Sequence, residues 1–216
     1  MLSNRFVTAC IAALLVSGFA FGADKAAPSP KLTAEEKAEL IQLLDESFAM
    51  LMGLITGLSD EQWNFKQNAD RWSVAECTQH IVRSERALLD AAQAALNSEP
   101  DEQWFTRTKG KTELLRQVMP NRRPGGAGGA TAPQEIRPNE TWSRAKAIKE
   151  FYIIRGEVRA YVETLEKPAK EYTFEHPFPV FGWLSAHDWL IYVPLHTIRH
   201  SRQIIEVQED KNYPQN

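Results

Sequence analysis

His196 and His200 stand four residues apart near the C-terminus, in a stretch whose apolar side chains recur at helical spacing. Since an α-helix turns by about 100° per residue, positions four apart lie on one face, one turn from each other. Two imidazoles at this spacing can bind the same metal ion. The same pair is also common as structure, with each ring hydrogen-bonded to a neighbour, so the metal interpretation requires a third ligand from elsewhere in the chain.

His80 is the candidate for that third ligand. Ser73 and Glu76 have the spacing of a capping box, which predicts that a helix begins there, and His80 lies at the edge of the apolar stripe of this helix. Inward positions of two helices in a bundle can face each other, which would bring His80 beside His196 and His200. Three histidines and one open position are typical of a site that binds water or substrate, rather than of a closed structural site.

Glu76 and Gln203 are candidates to orient the ligands by hydrogen bonds. Glu76 lies one turn before His80, and Gln203 continues the face of His196. Glu76 could instead be engaged in the capping box, and Gln203 could be solvated or packed. Glu76 is also a candidate general base, and the sequence identifies no other.

Three further residues are not expected to bind the metal. His187 lies nine residues before His196, on the opposite side of a helix, so it should point away from the site. His176 precedes a proline in a turn-rich loop, where a surface or loop-anchoring role is expected. Cys77 is predicted to be a small buried apolar residue.

Four long helices are predicted to position these side chains. In each of them apolar residues recur at steps of three and four residues, and no stretch alternates convincingly as a strand would. Another capping box, at Thr33 and Glu36, marks the start of the first helix, and Ser185 or a neighbour caps the last. We therefore predict an all-α fold, a four-helix bundle with a long crossover between the second and third helices. The first predicted helix follows Thr33 and runs to about Leu58, and the second opens at Ser73 with an apolar stripe that reaches Ala95. The third begins near Thr141 and ends before Pro168, and the fourth includes residues 190–208.

The predicted crossover spans residues 97–140 and contains little helical signal apart from residues 111–119. Glycines and a proline in residues 122–132 prevent a regular element there. A long stretch without secondary structure is usually functional or mobile, so we expect residues 120–132 to be the most mobile internal segment. Substrate is expected to enter beneath this crossover and the turn-rich loop at residues 168–184.

The composition is that of an ordinary globular protein. The chain has 216 residues, of which 43% are hydrophobic and 25% charged, and its formal net charge is −3. This charge gives no electrostatic basis for binding nucleic acid or an anionic membrane surface, so we expect a small-molecule substrate as the partner. A homodimer is compatible with the sequence.

The first 22 residues are predicted to be a secretory signal peptide. Their apolar run of about 15 residues is too short to span a bilayer comfortably, and the small residues Ala20 and Gly22 fit a cleavage site. An uncleaved membrane anchor is the alternative. The signal peptide would direct export to the periplasm or the medium, and its cleavage near Gly22 would leave a mature chain without stable membrane insertion. Cys77 would then be the only cysteine. Residues 23–32 would then be a polar linker, and residues 33–210 would form one domain.

Two motifs surround the three histidines: WSxxExxxH at residues 72–80 and PLHxxRHxxQI at residues 194–204. With the segments at 132–138 and 176–182, their order and spacing resemble the DinB-like superfamily of metalloenzymes over roughly residues 33–208. The resemblance implies a four-helix bundle with a three-histidine site for a divalent metal ion, commonly zinc or nickel. The ligand positions that it implies fall on His80, His196 and His200.

Characterised members of that superfamily include transferases and isomerases that use low-molecular-weight thiols in the cytoplasm, and many members have no established activity. The export signal departs from this pattern, because such thiols are less available outside the cytoplasm. The sequence therefore favours an exported metal-dependent enzyme, a hydrolase or a thiol-type transferase, in which the metal activates water or a thiol. Two alternatives stay open: a non-catalytic bundle that binds metal or a small ligand, and a structural module whose histidines bind no metal.

Overall fold

The computed structural model describes residues 29–121 and 131–215. The predicted signal peptide at residues 1–22, most of the predicted linker and most of the 120–132 segment lie outside these residues. The predictions made for them therefore stay predictions.

Four long helices form the bundle, as the sequence predicted. They are α1 (Ala34–Ile55), α3 (Val74–Leu96), α6 (Arg144–Thr164) and α7 (Ala186–Gln208). Shorter elements connect them: α2 (Asp60–Asn64), α4 (Trp104–Arg107), α5 (Lys111–Val118), a 3-10 turn (Gln134–Ile136), β1 (Thr173–Glu175) and β2 (Trp183–Ser185). Among the described helices, none combines the length and the apolar character needed to cross a membrane.

Capping boxes fix where the site-bearing helices begin. The Ser73 hydroxyl accepts a hydrogen bond from the Glu76 N–H at 3.2 Å, and the Glu76 carboxylate accepts one from the Ser73 N–H at 2.8 Å. Ser185 and Asp188 form the same reciprocal pair at the start of α7, and Thr33 caps α1 in the same way. These bonds pair backbone N–H groups that a helix end leaves unpaired, and so they set the phase of each helix. The predicted caps of α1, α3 and α7 are confirmed.

The core lies between helices that pack in pairs. α1 and α3 each pack against both α6 and α7. Phe48 of α1 stacks on Phe151 of α6, with ring centroids 5.3 Å apart. Burying an apolar side chain of this size stabilises the fold by roughly 1.5–3 kcal/mol. Phe48 is partly buried, whereas residues with at most 2% of their surface exposed include Phe151, Leu44, Leu51, Ile81, Leu190 and Ile191.

A buried ion pair that no local sequence pattern indicates crosses this core. The Arg155 guanidinium binds the Glu85 carboxylate, and both side chains are buried. Arg155 also donates to the Ser47 hydroxyl and to the Leu44 carbonyl, and the Thr197 hydroxyl donates to Glu85 Oε1 at 2.6 Å. The network therefore joins all four long helices beside the turn of α7 that carries the histidines.

One short sheet accompanies the four predicted helices. β1 and β2 pair in an antiparallel sheet, with Glu175 opposite Trp183. The turn between them uses Gly182, whose φ of 58° lies in the left-handed region that glycine adopts without strain. Each strand has three residues, which is too short for an alternating pattern to be recognised in the sequence.

Candidate metal centre

The structure brings together the three histidines that the sequence singled out. One ring nitrogen from each of His80, His196 and His200 lies within 4.8 Å of the other two. The ring centroids are 4.4 Å apart for His80–His200 and for His196–His200, and 5.1 Å apart for His80–His196. The three residues are only 2%, 8% and 7% exposed. Three nitrogen ligands at this spacing can surround one divalent ion.

Hydrogen bonds orient two of the rings for metal binding. His80 Nδ1 lies 2.8 Å from the carbonyl oxygen of Ile136, and His200 Nδ1 lies 2.8 Å from Gln203 Oε1. An oxygen acceptor at this position places the ring proton on Nδ1 and leaves the Nε2 lone pair available, as in most metal-binding histidines. His196 Nδ1 is buried without a hydrogen-bond partner in the described part of the chain. These donor atoms fit a zinc or nickel ion.

The three imidazoles are neutral at pH 7. Burial lowers the pKa of His80 to about 4, even though the bond to the Ile136 carbonyl acts in the opposite direction. Burial, and after it the neighbouring charges, hold the pKa values of His196 and His200 well below the usual range. Since a metal ion binds neutral imidazole, the cluster needs to release no proton before binding.

Aromatic rings form walls around the cluster. The half-buried Trp72 packs on His80 with ring centroids 4.8 Å apart, and on His200 at 6.2 Å. Tyr192, one turn before His196 on α7, meets His196 edge to face at 5.9 Å. Burial raises the pKa of the Tyr192 hydroxyl, which therefore stays protonated at neutral pH. The histidines thus lie in a mostly apolar surrounding, where an ion pair or a metal–ligand bond is screened little by water.

Of the two residues predicted to orient ligands, the structure places one beside a histidine. Gln203 bonds His200, as described above. The Glu76 carboxylate is engaged by the Ser73 N–H and by Lys66 Nζ at 3.0 Å, and it forms no described hydrogen bond to the three imidazoles. The Ile136 carbonyl orients His80 instead. A backbone carbonyl has no side-chain identity, so the sequence offered no signal for it.

The other histidines and Cys77 lie outside the cluster. His187 is buried near Glu36 and Lys170, and its N–H donates to the Ala169 carbonyl. The prediction that it does not join the site agrees with this position. Cys77 is fully buried.

His176 is loop-anchoring but not a surface residue, so one of the two roles expected for it was wrong. It is 6% exposed, and its Nδ1 accepts the Phe178 N–H at 2.9 Å. Its ring stacks on Trp189, with centroids 5.0 Å apart, and on Tyr192 at 5.7 Å. The 176–182 loop therefore packs on the turn of α7 that precedes His196.

Two open grooves flank the end of the crossover. One, of about 400 Å³, is lined in part by Lys66, Glu76 and Trp142. The other, of about 420 Å³, is lined in part by Arg83 and Ile136. None of the three clustered histidines lines either groove.

Comparisons with known proteins identify the family and the fold. Residues 43–204 match the family model described as the DinB superfamily. The uncharacterized protein YuaE of Bacillus subtilis (strain 168) is 27% identical over 158 residues, which cover 72% of this chain and 88% of YuaE. Among solved structures, YfiT from Bacillus subtilis is described as a probable metal-dependent hydrolase with an unusual four-helix bundle topology. Its TM-score is 0.55 at 17% identity, over 84% of this chain and 91% of YfiT, a likeness that shows a shared fold.

Proposed function

The chain belongs to the DinB superfamily, and from this premise we propose that it is a metal-dependent enzyme whose His80, His196 and His200 bind one divalent ion. The observation that carries the proposal is the buried cluster of three ring nitrogens within 4.8 Å of one another. The low pKa values of the three imidazoles and the oxygen acceptors at two Nδ1 atoms support it. Zinc and nickel are among the divalent ions that imidazole ligands suit.

Three protein ligands would leave room on a bound ion for water or substrate. When bound, the divalent ion lowers the pKa of a water molecule or a thiol and so supplies a nucleophile at neutral pH. The three histidines hold the ion, Ile136 and Gln203 keep two of the rings in the required tautomer, and Trp72 limits access of bulk water. The proposed reaction is hydrolysis or thiol-type transfer on a small molecule.

Hydrolysis is the first choice between these two reactions. YfiT, which shares the fold, is described as a probable metal-dependent hydrolase. We also propose that the chain is exported and cleaved near Gly22. Outside the cytoplasm, low-molecular-weight thiols are less available than water, which favours hydrolysis. N-terminal sequencing of the protein recovered from expressing cells tests this part. A mature chain that starts near Ala23 agrees with export, and an intact Met1 on membrane-bound material contradicts it.

An activity screen tests the enzyme proposal. The purified protein is offered esters, amides and thiol acceptors, with and without a chelator, and again after zinc or nickel is restored. We expect turnover of at least one class, loss of turnover with chelator and recovery with metal. The His196→Ala variant serves as the matched control, since it lacks one ligand.

A non-catalytic metal-binding bundle is the second candidate. The low exposure of the three histidines favours it. A protein that binds one metal ion tightly and turns over none of these substrates would favour this second function.

A further inference from the structure

One face of α3 holds the backbone of the last part of the crossover, residues 135–140. Gln79, which is 1% exposed, binds this segment with both ends of its amide. Its Oε1 accepts the Asn139 N–H at 2.8 Å, and its Nε2 donates to the Glu140 carbonyl at 3.0 Å. A buried amide with both groups paired fixes its partner in position, because breaking either bond would leave a polar group unsatisfied.

Arg83, one turn further along α3, binds the same segment. Its Nε donates to the Glu135 carbonyl at 3.0 Å, and its Nη1 donates to Asn139 Oδ1 at 3.0 Å. Between Gln79 and Arg83 on this face lies His80, whose Nδ1 donates to the Ile136 carbonyl at 2.8 Å. Three side chains on adjacent turns of α3 therefore bind the 135–140 segment, and only one of them is a candidate metal ligand.

The Ile136 carbonyl is the short hydrogen-bond partner of the His80 ring. The Ser84 hydroxyl lies 3.5 Å from both ring nitrogens, at the limit of a hydrogen bond, and so it favours neither tautomer. If the 135–140 segment moved away, His80 would lose the acceptor that places its proton on Nδ1. The orientation of this ring therefore depends on what holds the segment.

We propose that Gln79 and Arg83 are positioning residues of the metal centre. They hold the 135–140 segment so that the Ile136 carbonyl fixes the tautomer and orientation of His80. Metal binding and docking of the segment then stabilise each other, and by linkage each changes the other by the same factor. This inference rests on the proposed metal function and adds two residues and one segment to it.

Metal affinity of two variants tests the inference. Gln79→Leu and Arg83→Met remove the bonds to the segment while keeping side chains of similar size. In competition with a chromophoric chelator, each should bind zinc roughly 10–100-fold more weakly than the wild type, the loss that follows removal of groups that orient ligands. Arg83→Lys keeps one donor for the Glu135 carbonyl and should recover part of the affinity.

Arg86→Met is the matched control. Arg86 lies on the same helix, and its side chain is 46% exposed in an ion pair with Glu157. Its removal should leave zinc affinity within about twofold of the wild type, because exposed ion pairs contribute little to a fold.

Two further measurements report what a purely structural role would not change. Hydrogen exchange of the Asn139 amide, which bonds Gln79, should slow when zinc is added to the wild type. Nitrogen chemical shifts of His80 in the metal-free protein should report a proton on Nδ1, and Arg83→Met should populate the other tautomer. If Gln79→Leu fails to fold, the amide exchange, the nitrogen chemical shifts and the zinc affinities of the Arg83 variants still test the inference.

The outcomes separate this inference from the proposed function. Wild-type zinc affinity in both variants, or unchanged exchange of the Asn139 amide on adding zinc, overturns the inference and leaves the metal site intact. A wild type that binds no metal overturns the proposed function. In that case the inference about metal linkage falls as well, while the tautomer measurement still tells whether Gln79 and Arg83 orient His80.

Discussion

Replacing Arg155 alone should destabilise the bundle more than replacing Arg155 and Glu85 together. Arg155→Met leaves the fully buried Glu85 carboxylate without its cation, and it removes the bonds that Arg155 donates to the Leu44 carbonyl and the Ser47 hydroxyl. The Ser47 hydroxyl still donates to the Leu44 carbonyl at 3.1 Å. An unpaired charge in the core costs free energy, because neither water nor a counter-ion compensates it. Adding Glu85→Gln removes the buried charge itself.

The magnitude follows from what each variant leaves behind. Breaking a buried ion pair by removing one partner typically costs about 3–5 kcal/mol of unfolding free energy. For a chain of this size that corresponds to a melting temperature lower by about 6–20 °C. In the double variant the remaining cost is that of unpaired neutral groups, roughly 1–3 kcal/mol. Each single variant removes one partner of the pair, so the two single costs sum to about 6–10 kcal/mol. The cost of the double variant should therefore fall short of that sum by at least about 3 kcal/mol.

Urea unfolding of the wild type, both single variants and the double variant measures this coupling. The slope of the unfolding free energy against urea concentration should be the same in all four proteins, so that a shift of the urea midpoint reports a change in stability alone. A double variant that is as unstable as the sum of the two single variants would refute the reasoning, since it would mean that Arg155 and Glu85 stabilise the fold independently.

Three further predictions concern pH and single side chains. His80 and His176 have a pKa of about 4 in the folded chain, against 6.5 ordinarily, so the unfolded chain takes up protons first as the pH falls. The unfolding free energy of the metal-free protein should therefore be highest above pH 6.5 and should decrease towards pH 4. A urea midpoint that does not change over this range would contradict the prediction. Ser73→Ala removes the acceptor of the Glu76 N–H and should lower the unfolding free energy by about 1 kcal/mol, whereas no change would show that the cap is replaceable. His187→Ala should leave metal content by elemental analysis unchanged, because this side chain lies outside the cluster, and a loss of metal would place it in the site.

Local patterns in the sequence were sufficient for the bundle and for the histidine cluster. Capping boxes depend on residues three apart, and helical stripes on residues three or four apart, so both can be recognised without knowledge of the tertiary fold. His196 and His200 share a face for the same reason. His80 can be predicted as the third ligand because a capping box marks the start of its helix at Ser73 and an apolar stripe marks the inward face. The structure brings the three rings together.

Features that depend on distant or backbone partners were missed. The Arg155–Glu85 pair joins residues 70 positions apart, and no local pattern indicates it. The Ile136 carbonyl is a backbone group in a segment with little helical signal, and a carbonyl is common to every residue. His176 was expected in part at the surface because it lies in a loop, but the stacking on Trp189 that buries it depends on how the loop packs on α7.

The central claim is that His80, His196 and His200 bind one divalent ion. Elemental analysis tests it most directly, by comparing the metal content of the untagged wild type with that of the His196→Ala, His200→Ala double variant. Two of the three clustered nitrogens are removed in the double variant, while the apolar stripes of the four long helices stay intact. We predict one divalent ion per chain in the wild type and none in the folded double variant. Stoichiometric metal in the double variant, or a wild type that binds no zinc, nickel, manganese or iron, would contradict it.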